Sequence, residues 1–113
     1  MRRDARVYLW DALQAADLLS EFSKGEDFVS YQSDAKLRSA VERQLEIIGE
    51  ALNQLSKVNT ELAAQVPDLG RIVAFRNILI HGYATVDDAL VWQVLTERLP
   101  VLTNVLRRLL AAQ

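Results

Sequence analysis

There is no cysteine in this chain of 113 residues, which excludes disulfides and thiolate metal sites. Histidine occurs once. With no tight group of Asp and Glu around it, a protein-only metal site within a single chain is not expected. Glycine (4) and proline (2) are scarce, and so few breakers point to helices. There is no basic excess either: the formal net charge is −2 and the sequence pI about 5.3. Any contact with nucleic acid therefore rests on a local patch rather than on a global basic footprint. No apolar run approaches the roughly 18 residues of a membrane span. The first segment, interrupted by Asp11, Gln14 and Asp17, lacks the clean apolar centre of a signal peptide. A cytoplasmic protein without membrane association is the expectation.

What is present is apolar. Hydrophobic residues make up 50% of the chain, at the top of the usual range, which suggests apolar surface left over for a partner. The length suits one domain, residues 1–113, around one core. From about Asp4 to Ser23 the apolar residues Val7, Trp10, Leu13 and Ala16 recur at helical spacing, with Leu9 and Leu18 widening the stripe. Trp10 and Trp92 read as core residues. Ser33 reads as the N-cap of a second long helix, about Asp34 to Lys57. Its positions Val41, Leu45, Ile48, Leu52 and Leu55 alternate steps of four and three, a heptad-like seam. Gly49 sits inside that helix, where it costs about 1 kcal/mol relative to Ala. Either another backbone passes close or the position is tolerated. A short helix capped by Thr60 follows. Leu69 to about Gly82 is apolar on most sides and reads as a central, buried helix. The last helix, about Val86 to Ala111, contains Pro100, which should kink or divide it near Leu99. The architecture is all-α: an up-and-down bundle of about four main helices with a kinked last helix.

The segment Arg76-Asn77-Ile78-Leu79-Ile80-His81-Gly82-Tyr83 places a cation, an amide, an imidazole and a phenol in apolar surroundings. Each such group costs free energy unless it finds a partner. At 100° per residue, Arg76 and His81 lie about 140° apart, with Asn77 between them. A guanidinium suits phosphate, and an imidazole can transfer protons. Together these parts suit cleavage of an RNA phosphodiester by its own 2′-hydroxyl, which needs a base, an acid and charge stabilisation. One histidine cannot easily be both base and acid, so two copies facing each other across a cleft would be required. Nearby, Glu42, Glu46 and Glu50 form an i,i+4 row of like charges that Arg43, Arg71 or Arg76 could neutralise. From these residues alone, structural pairing outweighs catalysis as the explanation.

The same octapeptide, Arg76 to Tyr83, resembles the signature of HepT-type toxins in the HEPN (higher eukaryotes and prokaryotes nucleotide-binding) superfamily. Residues Ala40 to Ala51, AVERQLEIIGEA, resemble that family's second-helix signature, and Val91-Trp92 with Leu99-Pro100 resemble its last helix. The likeness spans nearly the whole chain. It implies a HEPN-like homodimer with a composite site at its interface. It also implies a metal-independent endoribonuclease, without a cofactor, acting as the toxin of a bacterial or archaeal toxin–antitoxin pair. Arg76 and His81 would be catalytic and Asn77 supporting, with Arg43, Glu46 and Glu50 as further supports. The implied antitoxin is a minimal nucleotidyltransferase that transfers AMP to Tyr83. Added bulk and negative charge at Tyr83 would compete with the RNA phosphate. The alternative is a non-catalytic subunit that binds nucleotide or presents a substrate within a nucleotidyltransferase complex.

Overall fold

A computed structural model of the chain describes residues 4–82 and 85–113. The described residues form helices joined by short connections, without strands. Helix α1 runs over Ala5–Ser23, α2 over Phe28–Ser33, α3 over Ala35–Val58, α4 over Thr60–Ala63 and α5 over Leu69–His81. The last helix is divided into α6, Asp88–Gln93, a π turn, Val94–Arg98, and α7, Leu99–Ala111. The bundle expected from the apolar pattern is present.

Short polar side chains set the boundaries by accepting from orphan backbone donors. Asp4 accepts from the Arg6 amide and Asp27 from the Ser30 amide. Ser33 is not the cap of α3, contrary to expectation. It closes α2, and Asp34 caps α3 by accepting from the Leu37 amide. Likewise Asn59, rather than Thr60, caps α4. In both cases an Asp or Asn stands beside the hydroxyl residue, and these side chains reach the N3 amide well. Pro100 brings no amide, and its ring crowds the preceding turn. The chain answers by widening: the Leu99 amide reaches the Val94 carbonyl five residues back.

The α3 seam is the spine of the core. Val41, Leu45, Ile48, Leu52 and Leu55 are all buried. They meet Leu9, Ala12, Ala16 and Leu19 of α1, and Leu99, Leu102, Leu106 and Leu109 of α7. Helix α1 packs on both α3 and α7. Its buried face centres on Leu9, Ala12 and Ala16, which turns Trp10 outward, 52% exposed. The expectation of a buried Trp10 therefore fails, whereas Trp92 packs beside the buried Tyr31 with ring centroids 5.3 Å apart.

Helix α5 departs furthest from expectation. Only Leu79 of its 13 residues is buried, and Ile78 and Ile80 are 50% and 44% exposed. It packs on α3 and has no other extensive neighbour among the described residues. The contact is close because of Gly49: a Cβ there would lie 2.5 Å from the Arg76 Cβ. The mid-helix glycine is thus a notch for α5. At Gly70, by contrast, a Cβ would have nothing within 4 Å of it.

Gly49→Ala should therefore lose stability, by roughly 1–3 kcal/mol as for other overpacked sites, seen as a lower urea midpoint. Gly70→Ala should hold or gain stability. Equal midpoints for Gly49→Ala and the unmodified chain would show that α5 is not seated in the notch.

Candidate active site

The motif occupies the last turns of α5. Arg76 points across the Gly49 notch to α3, with its side chain 19% exposed. Its Nη1 donates to Glu50 Oε2, and its Nη2 donates to Asn77 Oδ1 at 2.7 Å. Its Nε is buried without a partner among the described residues. Of the three arginines that the sequence offers to the acidic row, Arg76 takes Glu50 and Arg43 takes Glu46, at 3.4 Å. Arg71 takes no carboxylate among the described residues and lines a groove elsewhere.

Arg76, Asn77 and Glu50 are therefore brought together, and His81 is not. His81 is the last residue of α5 and exposed. No described residue hydrogen-bonds to its ring. Gly82 turns the chain there: its amide donates to the Ile78 carbonyl at 2.8 Å, and a Cβ on it would lie 2.8 Å from that same oxygen. Only glycine fits without displacing the turn. Tyr83 lies outside the described residues.

Two concavities flank α5. A groove of about 550 Å³ runs between α5 and the α6–α7 arm, floored by Leu45 and Ile48 and edged by Phe75 and the exposed Leu90 and Val101. On the other side, a cleft of about 470 Å³ between α1, α3 and α5 holds Arg43, Glu46, Glu50 and Ile80. Gln54, which donates to Glu50 Oε1 at 3.0 Å, also lines this cleft. Sequence reasoning missed Gln54, although its i,i+4 spacing from Glu50 was a usable signal. No cluster of three His, Cys, Asp or Glu suited to a metal occurs among the described residues.

The far end of the acidic row has its own constraint. Burial chiefly, then Asp88 and Glu46, push the Glu42 carboxyl up, while Arg38 opposes this. Arg38 lies 4.0 Å from Asp88 and also donates to the Gln32 carbonyl. It thereby ties the start of α6 to α2 and α3. The buried Tyr31 hydroxyl, without a partner among the described residues, is pushed up by burial first and then by Glu42 and Asp88.

A family model described as ribonuclease HepT-like matches residues 12–109. A Methanocaldococcus jannaschii protein named as an RNase by inference is 37% identical over 99 residues, 88% of this chain and 90% of its own. A probable ribonuclease HepT of Thermococcus cleftensis is 33% identical over 109 residues, 96% of this chain and 98% of its own. A Caldanaerobacter subterraneus protein, also an RNase by inference, is 35% identical over 105 residues, 93% of each chain. No solved structure gives a match.

The Glu42 environment yields a signed expectation. A carboxyl raised in the folded state binds its proton more tightly there than when unfolded. Its contribution is favourable below the unfolded value, near 4.5, and is lost as pH rises through the folded value. Glu42→Gln should raise the melting temperature at pH 7, with the gain shrinking towards pH 4. A gain that is the same at both pH values would refute the assignment.

Proposed function

Because the chain belongs to the HepT-like ribonuclease family, we propose that it is a metal-independent endoribonuclease. In this reading it is the toxin of a toxin–antitoxin pair, acting in the cytoplasm as a homodimer on RNA. One observation carries the reading. Within a single chain Arg76 is turned onto α3, while His81 stands exposed at the end of a helix whose outer face has no extensive neighbour. A second copy laid on that face supplies what one chain lacks. It covers Gly70, Ala74, Asn77 and Ile78, small or apolar apart from the amide, and it brings a second imidazole. Among the described residues nothing requires Gly70 to be small, which fits close approach by another helix. The apolar groove beside α5 provides further area to bury.

His81 of one copy takes the proton of the substrate's 2′-hydroxyl, and that oxygen attacks the phosphorus. The P–O5′ bond breaks, and His81 of the second copy gives its proton to the departing 5′-oxygen. Arg76 holds the nonbridging oxygens as charge builds, and Asn77 fixes the guanidinium. The nucleophile comes from the substrate, so the residues named cover the base, the acid and the charge stabilisation. A minimal nucleotidyltransferase antitoxin silences the site by moving AMP onto Tyr83, two positions beyond His81. No helix among the described residues is long and apolar enough to cross a membrane.

Arg76→Ala and His81→Ala should each reduce cleavage of cellular RNA by at least about 100-fold, as expected for loss of an acid–base or charge-stabilising group, with urea midpoints little changed for His81→Ala. Light scattering should give about twice 12.8 kDa. Tyr83→Phe should abolish AMP incorporation by a cognate minimal nucleotidyltransferase. Undiminished cleavage by His81→Ala would overturn the site. An inactive wild type that still accepts AMP at Tyr83 would favour the substrate-presenting subunit instead.

A further inference from the structure

Arg76 is held along its whole length. A Cβ on Gly49 would lie 2.5, 3.0 and 3.3 Å from the Arg76 Cβ, Cγ and Cδ, so the stem runs flat along the notch. A guanidinium carries five N–H bonds. Here Nη1 donates to Glu50 Oε2 and Nη2 to Asn77 Oδ1, while Nε is buried without a partner among the described residues. One N–H is left on each terminal nitrogen. A donor on each of the two is what a guanidinium uses to grip two oxygens of one phosphate. Glu50 and Asn77 therefore decide which donors a phosphate meets. Asn77 adjoins Arg76 on the same helix, but Glu50 comes from α3 and its side chain is 49% exposed. The last torsion of a glutamate is broad, so a carboxylate held by one oxygen can turn. The second oxygen of Glu50 is held as well: Gln54 Nε2, one turn further along α3, donates to Oε1 at 3.0 Å.

We infer that Gln54 is a positioning residue for Arg76, acting through Glu50. It fixes the plane of the Glu50 carboxylate, and the carboxylate in turn fixes the guanidinium. The two free N–H bonds then keep one direction, which is what a group that must meet charge as it develops requires. The chemistry of an amide suits this place. It donates to Oε1 without carrying a charge of its own, so it does not draw Glu50 away from Arg76 as a lysine or arginine would. It also leaves the pair of Glu50 and Arg76 electrically as it is. The consequence for cleavage rests on the ribonuclease reading, but the hold on the guanidinium does not.

Gln54→Met removes the donor and keeps the length of the side chain. On a defined RNA, kcat should fall by about ten-fold in this variant, short of the loss expected when the guanidinium itself is removed, with KM little changed. The urea midpoint should match the wild type, because an exposed pair one turn apart adds little to a helix. Heteronuclear NMR of the arginine side chains follows the guanidinium without any substrate. Arg76, identified by the signals lost in Arg76→Lys, should show distinct Nη1 and Nη2 resonances in the wild type, where rotation about the Cζ–Nε bond is blocked. In Gln54→Met they should merge. Undiminished kcat in Gln54→Met overturns the inference, as does a loss of kcat with the Arg76 resonances still distinct, or resonances already merged in the wild type. A wild type that does not cleave, with resonances that merge in Gln54→Met, sinks the ribonuclease reading and leaves the hold on Arg76. A wild type that does not cleave, with resonances that stay distinct in the variant, sinks both.

Discussion

The seating of Arg76 over Gly49 is the contact on which the arrangement of the site depends. It sets how closely α5 approaches α3, and that distance decides whether the guanidinium can reach Glu50 at all. A methyl group in the notch would collide with the Arg76 Cβ itself, 2.5 Å away. The collision would fall on the root of the side chain rather than its flexible end. The same contact also fixes what α5 leaves outside. With Arg76 turned inward, the exposed face carries Ala74, Asn77, Ile78 and His81. The two groups with the most chemistry in the motif thus point in different directions, one into the chain and one out of it.

That division makes sense of a helix that is otherwise costly. An apolar helix with one extensive neighbour among the described residues leaves Ile78 and Ile80 partly in water, and such surface is normally an interaction site. It also explains why the glycines differ. Gly49 is small for the sake of this chain's own packing, and Gly82 for its own turn. Gly70 has open space around it, so no packing among the described residues accounts for its size.

Much of the bundle was legible in the sequence, and the exceptions have physical causes. The α3 seam is legible because valine, leucine and isoleucine at steps of three and four form one stripe in a helix whose other positions are mostly polar. Pro100 announces its break because a missing amide cannot be hidden inside a helix; that the break would be a π turn depends on tertiary packing. Helix α5 misleads because all-round apolarity looks the same whether the partner is the rest of the chain or something else. Trp10 misleads for a related reason: the face of α1 is chosen by small residues, Ala12 and Ala16, which fit against α3 where an indole does not. At the site, the acidic row and its three candidate arginines are visible in the sequence. Which arginine meets which carboxylate is not, since that depends on the register between α3 and α5.

The register also resolves the apparent conflict between an acidic chain and an anionic substrate. Helix α5 carries Arg71, Arg76 and His81 and no carboxylate of its own. The acids that give the chain its negative balance stand partly behind it, on α3, where Arg43 and Arg76 neutralise two members of the row. Screening over about 8–10 Å at physiological salt makes this local distribution, rather than the net charge of −2, what an anion approaching α5 would experience.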